Sequence, residues 1–471
     1  MSFRLVAAVA SFALVLAGCI TPNAADVDAA SAATGDLLAL APDAFQFVDP
    51  QNAPHPAFNW PTIISTGDVA AGFPSWWAPI EAAALPEQIT GIAQLAGTPE
   101  GVTTGAGISL FGSLAIVPGF GPTSWILDIS DPKAPKVLSE LEPVQGGHRG
   151  SAVIAYPDGK LAAVFSTGPG FETWDITDPT MPVAASQTEP TTNGHKLGVV
   201  PGTPYVYNAN SNGGGLQAEE GTGITEIYDL TDPYNPRHVQ DFPNGFGCHH
   251  IYFWNSVEKQ RTVCAGIEFA QIWDTADPEN PVVIVSVPIP HGAAGTPSLS
   301  AFPVVTPFAH FSILNDDGTI LIVGDELGGG AVPPGCTAGA NTPVVDNGAP
   351  TGALWFYDVS DETDPQLLGW YSPGHHLDPA SGNKLLGPEI PAGASCTAHH
   401  GRLVPQEDGR DLLAMSFYGA GVVLLDFTDA RLPQVVDQVK GGGHNVWETW
   451  YYNGYLFTGD LNRGFEVLTF E

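Results

Sequence analysis

One phrase recurs along this chain and restricts what it can fold into. A short β-rich run ends in Asp, Ser/Thr-Asp-Pro follows, and a second Pro comes three residues after the first. It reads Trp125-Ile-Leu-Asp-Ile-Ser-Asp-Pro-Lys-Ala-Pro135, Trp174-Asp-Ile-Thr-Asp-Pro-Thr-Met-Pro182, Tyr228-Asp-Leu-Thr-Asp-Pro-Tyr-Asn-Pro236 and Trp273-Asp-Thr-Ala-Asp-Pro-Glu-Asn-Pro281. Looser copies are Tyr357-Asp-Val-Ser-Asp, closing at Pro365, and Leu425-Asp-Phe-Thr-Asp, closing at Pro433; a truncated seventh is Gly464-Phe-Glu-Val-Leu-Thr469. Asp followed by Pro favours a type I turn, and the runs before it are made of β-formers. Two further β-rich segments precede each phrase, as Ser151–Tyr156 and Leu161–Ser166 precede Trp174, so a unit holds about four strands. The marker residues Asp128, Asp175, Asp229, Asp274, Asp358 and Asp426 are 47, 54, 45, 84 and 68 residues apart. The short spacings suit a propeller blade and the long ones a blade with inserted loops. The expected fold is all-β, a seven-bladed β-propeller over residues 85–471. Because the last copy stops after its third strand, Leu85–Leu95 is expected to supply the missing outer strand and cover the open edge.

The first 18 residues read as a lipoprotein signal peptide. Arg4 precedes an apolar run from Leu5 to Leu16, too short to span a bilayer, and Leu16-Ala17-Gly18-Cys19 looks like a lipobox. Cleavage before Cys19 frees its thiol for lipidation; the alternative is an ordinary secretory signal with a stray cysteine. Residues 19–42 read as a flexible tether. Residues 43–84, rich in Pro and aromatics (Phe45, Phe47, Phe58, Trp60, Trp76, Trp77), read as an arm packed on the propeller. The expectation is an extracytoplasmic monomer, lipid-anchored to the cell membrane, or secreted if the lipobox is not used. Composition agrees: 50 Asp and Glu face 15 Lys and Arg, a net charge of −35. So few bases exclude nucleic acid and anionic head groups as partners, leaving the anchor as the membrane contact. The 44% of apolar residues excludes global disorder.

Val422-Val-Leu-Leu-Asp426, followed by Phe-Thr-Asp, resembles the LVIVD repeat of secreted and surface propeller proteins, and the resemblance covers roughly residues 105–471. The stretches His310-Phe-Ser-Ile-Leu-Asn-Asp-Asp-Gly, Gly324-Asp-Glu-Leu-Gly-Gly-Gly330 and Cys396-Thr-Ala-His-His-Gly resemble a secreted subgroup of that family. The resemblance implies a fold and a location rather than an activity. More distantly, a propeller with many histidines is similar to the selenium-binding protein/methanethiol oxidase family.

Laying the units in register exposes a second pattern. Every innermost strand but that of the first blade is expected to begin with a small residue and a histidine, at Gly147-His148, Gly194-His195, Cys248-His249, Ala309-His310, Ala398-His399 and Gly443-His444, with His250 and His400 next to two of them. The end of the second strand lies on the same face as the start of its antiparallel neighbour. Glu268, Asp325, Glu326 and Asp460, with Asn208 and Asn210, are therefore expected around the same funnel. Imidazoles and carboxylates there are a ligand set for Zn, Cu or Fe. The core set is His249, His310, His399 and His444, with His148, His195, Asp325 and Glu326 beside it. The other reading is a structural ring in which each imidazole bonds a neighbouring blade. His55, His238 and His291 read as surface residues, and His375-His376 as part of a long insertion before Cys396, with a lid over the funnel as the lesser alternative.

Cys19 aside, four cysteines remain, an even number in an extracytoplasmic chain. All four fall on the histidine face, and the pairing Cys248–Cys264 with Cys336–Cys396 is chosen from three possibilities; metal ligation by Cys is the alternative. No Gly-x-Ser-x-Gly elbow or phosphate-cradling glycine motif appears. Two function classes stand. One is a surface propeller that binds a metal, small ligand, glycan or surface protein without chemistry. The other is a Cu- or Fe-dependent oxidoreductase of the methanethiol oxidase type, with an open coordination position.

Overall fold

The computed structural model describes residues 74–187, 194–209, 223–245, 247–256, 258–266, 269–289, 308–326, 352–373, 375–377, 384–386, 396–439 and 442–471. The signal, the tether, Cys19 and residues 43–73 of the arm lie outside them.

The recurring phrase folds as a double turn. In the first copy the Asp128 carboxylate accepts the Ser130 N–H at 2.8 Å and Asp131 accepts the Lys133 N–H at 3.0 Å, while the Ala134 N–H closes a turn on the Asp131 carbonyl at 2.9 Å. The other five copies repeat all three bonds, from Asp175 and Asp178 to Asp426 and Asp429. Asp thus serves at both places because its short carboxylate reaches the N–H two residues on. Two residues before each marker Asp, or one, a β-bulge shifts the pairing of the third and fourth strands, as at Ile126/Leu127 and Ile272/Trp273. It adds the twist a blade needs.

Each of these turns joins the third and fourth strands of a four-stranded antiparallel sheet, and the described residues form seven such sheets. Blade one runs Ser109–Phe111, Leu114–Val117, Ser124–Asp128, Lys136–Leu141 from inside to outside. The innermost strands of blades two to seven are Ser151–Ala155, Lys196–Val199, His250–Asn255, Ala309–Leu314, Gly401–Val404 and Val446–Tyr452. The protein is a seven-bladed β-propeller. Among the described residues the sole helical piece is the 3-10 turn Ser75–Trp77, and no helix is long and apolar enough to cross a membrane. Trp77 is buried, its ring edge-on to Phe111 at 5.2 Å, and Ile80 is buried against blades one and seven. The long spacings hold insertions. One falls between the second and third strands of blade five, and the other, after that blade, contains the hairpin His375–Leu377/Lys384–Leu386.

The ring closes through one strand. Ile92–Ala96 pairs antiparallel with Gly464–Phe470, placing Ile92 opposite Phe470, and forms the outer strand of blade seven. The N–H groups of Thr90 and Gly91 continue the join onto the Glu471 carbonyl. The expected segment Leu85–Leu95 is right in role and early in its start: Pro86 has no N–H to give a ladder. Ile92 is buried with Leu468, Phe470 and Leu424 of blade six, so the closing strand joins three parts of the chain. Ile92→Ala removes that packing and is expected to cost about 2–5 kcal/mol in urea unfolding. A loss under half a kcal/mol, as at an exposed strand residue, would contradict this role.

Candidate metal centre

Ring closure aims the starts of the innermost strands at one axis. In blades three, four and six the histidine before the strand donates its backbone N–H to the end of the second strand: His195 to Ala209 O at 3.0 Å, His249 to Ala265 O at 2.6 Å, His399 to Ser416 O at 3.1 Å. In blade five His310 is the extra residue of a bulge between Ala309 and Phe311. These four, with His250 and His400, form one continuous packing of rings. Centroids lie 3.5 Å apart for His195–His249, 4.4 Å for His249–His310, 4.1 Å for His310–His399, 4.7 Å for His310–His400 and 4.8 Å for His250–His400.

Two of the expected histidines are not there. In blade two the residue bonded like His195 is Arg149, whose N–H donates to Ser166 O at 3.0 Å, so His148 sits one place early. A one-residue offset sends a side chain to the other face. His148 instead bonds Ser124 Oγ and Glu172 Oε1, each at 2.9 Å, and stacks on Phe165. Both ring nitrogens are used, which is the structural role that competed with metal binding. In blade seven the extra residue of the equivalent bulge is Trp447, whose ring lies 4.1 Å from that of His399. His444 lies upstream, 3.2 Å from Asp460 Oδ2 and 3.5 Å from Glu466 Oε2. That trio has ligand atoms within 4.8 Å of one another, but Asp460 already accepts the N–H groups of Asn445, Asn462 and Arg463.

The two adjacent acids divide in the same way. Asp325 accepts the Phe308 N–H at 2.9 Å and the Gly352 N–H at 2.8 Å, tying together the residues that lead into the first and third strands of blade five. Glu326 faces the rings: its carboxylate is 3.3 Å from His310 Nε2 and 3.6 Å from His399 Nε2, and the Tyr418 hydroxyl donates to it. Asn208 is buried against Glu226 at 2.9 Å; Glu268 and Asn210 lie outside the described residues. His238 is exposed, as expected, and bonds Asp241 at 2.8 Å.

Sequence reasoning passed over the role of the layer behind the rings. One residue further along, Lys196 of blade three reaches Glu448 of blade seven at 2.7 and 2.8 Å. Arg402 of blade six lies over the Trp450 ring at 3.8 Å with Nη2 3.6 Å from Glu448. Both charges of the Lys196–Glu448 pair are buried and offset each other across the ring. The doublets His249-His250 and His399-His400 were a signal that blades four and six each contribute a second imidazole, His250 and His400, whose rings lie 4.8 Å apart.

What separates the imidazoles from the charges is the lack of partners. His195 Nδ1, His250 Nδ1, His399 Nε2 and both nitrogens of His249, His310 and His400 are buried without a hydrogen bond. Each such group costs about 1–3 kcal/mol, and native interiors hold few of them. His399 is the best defined. Its Nδ1–H donates to the Trp447 carbonyl, which fixes the tautomer and leaves the Nε2 lone pair facing the cluster, the usual orientation of a metal-binding imidazole. Two groups have ligand atoms within 4.8 Å of one another: His195, His249 and His310, and His310, His399 and His400. The cysteines frame them. Cys248, bonded to Cys264 with a Cα separation of 5.5 Å, directly precedes His249, and Cys396, three residues before His399, is also disulfide-bonded. Its expected partner Cys336 lies outside the described residues.

Burial, and then repulsion among the rings, holds His249 and His310 well below the ordinary histidine range; burial, and then the charges of Lys196 and Arg402, does so for His250, and burial does the same to His399 and His400 and brings His195 to about 3. Burial pushes Glu326 the other way, to about 8, against the Tyr418 hydrogen bond. The signs oppose. The unfolded chain binds more protons at these histidines below about pH 6.5, so their contribution is full above that pH and lost as it falls. Glu326 contributes fully below its unfolded value of 4.5 and loses that contribution as pH rises through about 8. Six imidazoles outweigh one carboxyl, so metal-free protein is expected to lose stability steadily as pH drops below 6.5. Glu326→Gln should steepen the net rise between pH 4.5 and 8 by removing the opposing slope. Urea midpoints across pH check both; a flat profile below pH 6.5 contradicts buried neutral imidazoles.

No family model matches the chain, and no curated protein matches it. Among solved structures, the β-propeller domain of Cps50 (Swd1) from Myceliophteria thermophila is similar, with a TM-score of 0.47 and 11% identity over 80% of this chain and 98% of that one.

Proposed function

We propose that this protein is an extracytoplasmic, lipid-anchored propeller of the LVIVD kind that binds a first-row transition-metal ion through the histidines at its axis. The observation that carries the reading is the set of buried, neutral imidazoles with unpartnered nitrogens, centred on His310 and on His399, whose tautomer is held by the Trp447 carbonyl. Neutral imidazole is the ligand form, so no deprotonation opposes metal uptake at neutral pH. Nitrogen donors with one carboxylate nearby suit Cu, Zn or Fe. Three or four ligands from this set leave a position for a small ligand. At the edge of the cluster stand Arg149, Phe120 and Trp447: the Arg149 guanidinium lies 5.5 Å from the Phe120 ring, which packs on Trp447 at 5.1 Å.

A second reading, a Cu- or Fe-dependent oxidoreductase, draws on Glu326. A carboxyl protonated up to about pH 8, bonded to Tyr418 and facing two candidate ligands, is a proton-holding group beside the metal. Spectra of the loaded protein under reductant and then oxygen separate the readings, since a binding protein holds its metal without turnover.

Purified mature protein, expressed with metals supplied, is expected to carry at least about one equivalent of a transition metal. His310→Ala should lower that content at least tenfold, and His399→Ala should lower it by at least about half, while the far-ultraviolet spectrum stays that of a folded propeller. Less than a tenth of an equivalent in the parent protein removes both readings; unfolding of both variants supports a structural ring. The anchor is tested separately: Cys19→Ser should move the protein from the membrane fraction to the soluble fraction.

A further inference from the structure

One ion does not account for this cluster. Four ligands complete a tetrahedral site, yet nine imidazole nitrogens on six histidines are buried without a partner. They do not form one shell. The ligand sets are His195–His249–His310, contributed by blades three, four and five, and His310–His399–His400, contributed by blades five and six. His310 belongs to both, and neither of its nitrogens makes a hydrogen bond. Its Nε2 lies 3.3 Å from Glu326, the carboxylate that also faces His399 Nε2 at 3.6 Å, so that nitrogen points to the second set. Nδ1, separated from it by the ring's own C–H edge, is left for the first. His399 has one nitrogen to offer, because the other donates to Trp447, and its place in the second set is therefore unambiguous.

We propose that the propeller holds two metal ions, one in each set, with His310 shared between them. This rests on the metal-binding reading above and goes beyond it in number and arrangement. The shared ring ligates through both nitrogens and gives up its N–H proton to solvent, while the other four histidines ligate as neutral imidazoles. Each ion has three nitrogen ligands and an open position. Nitrogen donors and a bridging imidazole favour a pair of copper(II) ions, and zinc fits the same sets. Glu326 stands beside the second ion alone, so the two ions differ in charge environment.

The test is copper(II) titration of the chelator-treated full-length protein, read by bound metal and by electron paramagnetic resonance. The parent is expected to saturate at two equivalents, with a resonance intensity well below its copper content, because spins joined through one imidazole couple. His195→Ala and His400→Ala should each saturate at one equivalent with full intensity, and the double variant should bind none. If either single variant fails to fold, His195→Gln or His400→Gln replaces it; the parent's own stoichiometry needs no variant. Saturation of the parent at one equivalent overturns the pair while leaving the metal-binding reading intact. Two equivalents retained in both variants also overturn it. No copper bound at all overturns the reading on which it rests, a different result from one equivalent.

Discussion

The join between Ile92–Ala96 and Gly464–Phe470 is the constraint on which the rest depends. A chain of blades left open would splay, and its innermost strands would face water. Closed, seven strands converge on one axis from which solvent is largely expelled, and every polar group placed there must find a partner in another blade. Lys196 and Glu448 stand 252 positions apart in the chain and meet only because the ring has closed.

The axis carries two solutions to that demand in neighbouring layers. One is electrostatic: Lys196, Glu448 and Arg402 offset one another, with Trp450 covering the guanidinium and donating its own N–H to Glu448. The other consists of imidazoles that touch one another and leave nine of their nitrogens without a hydrogen bond. Packing of this kind keeps the rings neutral, since protonating one places a charge against its neighbours in a dry interior. The charges of one layer offset one another, while the next layer holds nine nitrogens without a hydrogen bond, the deficit that the proposed metal ions would fill; the disulfide at Cys248 and the bonded Cys396 lie next to the strands that carry it.

Much of this was legible beforehand. The Asp-Pro phrase announced the turns, since an Asp carboxylate reaches the N–H two residues on whatever surrounds it, and the truncated last copy announced the closing strand. Four of the six aligned histidines meet at the axis. His148 and His444 do not, although their local sequence matches. The pattern of a small residue before His marks a position only to within one residue, while the face a side chain takes changes at every residue. The bulges at His310 and Trp447 shift that register within the innermost strands themselves, and nothing in the local sequence marks them. Asp325 and Glu326 show the same limit: adjacent acids, one spent on backbone N–H groups and one turned to the rings.

The sequence by itself determined the repeated blade, the turn at each blade's edge and the gathering of histidines near one end of the innermost strands. These are local consequences of side-chain chemistry and strand alternation. Only the tertiary structure decided which imidazoles touch, which nitrogens lack a partner, and that Arg149 and Trp447 take places expected of histidine. Those outcomes depend on register between strands and on contacts across the closed ring, where groups hundreds of residues apart share one small, dry volume.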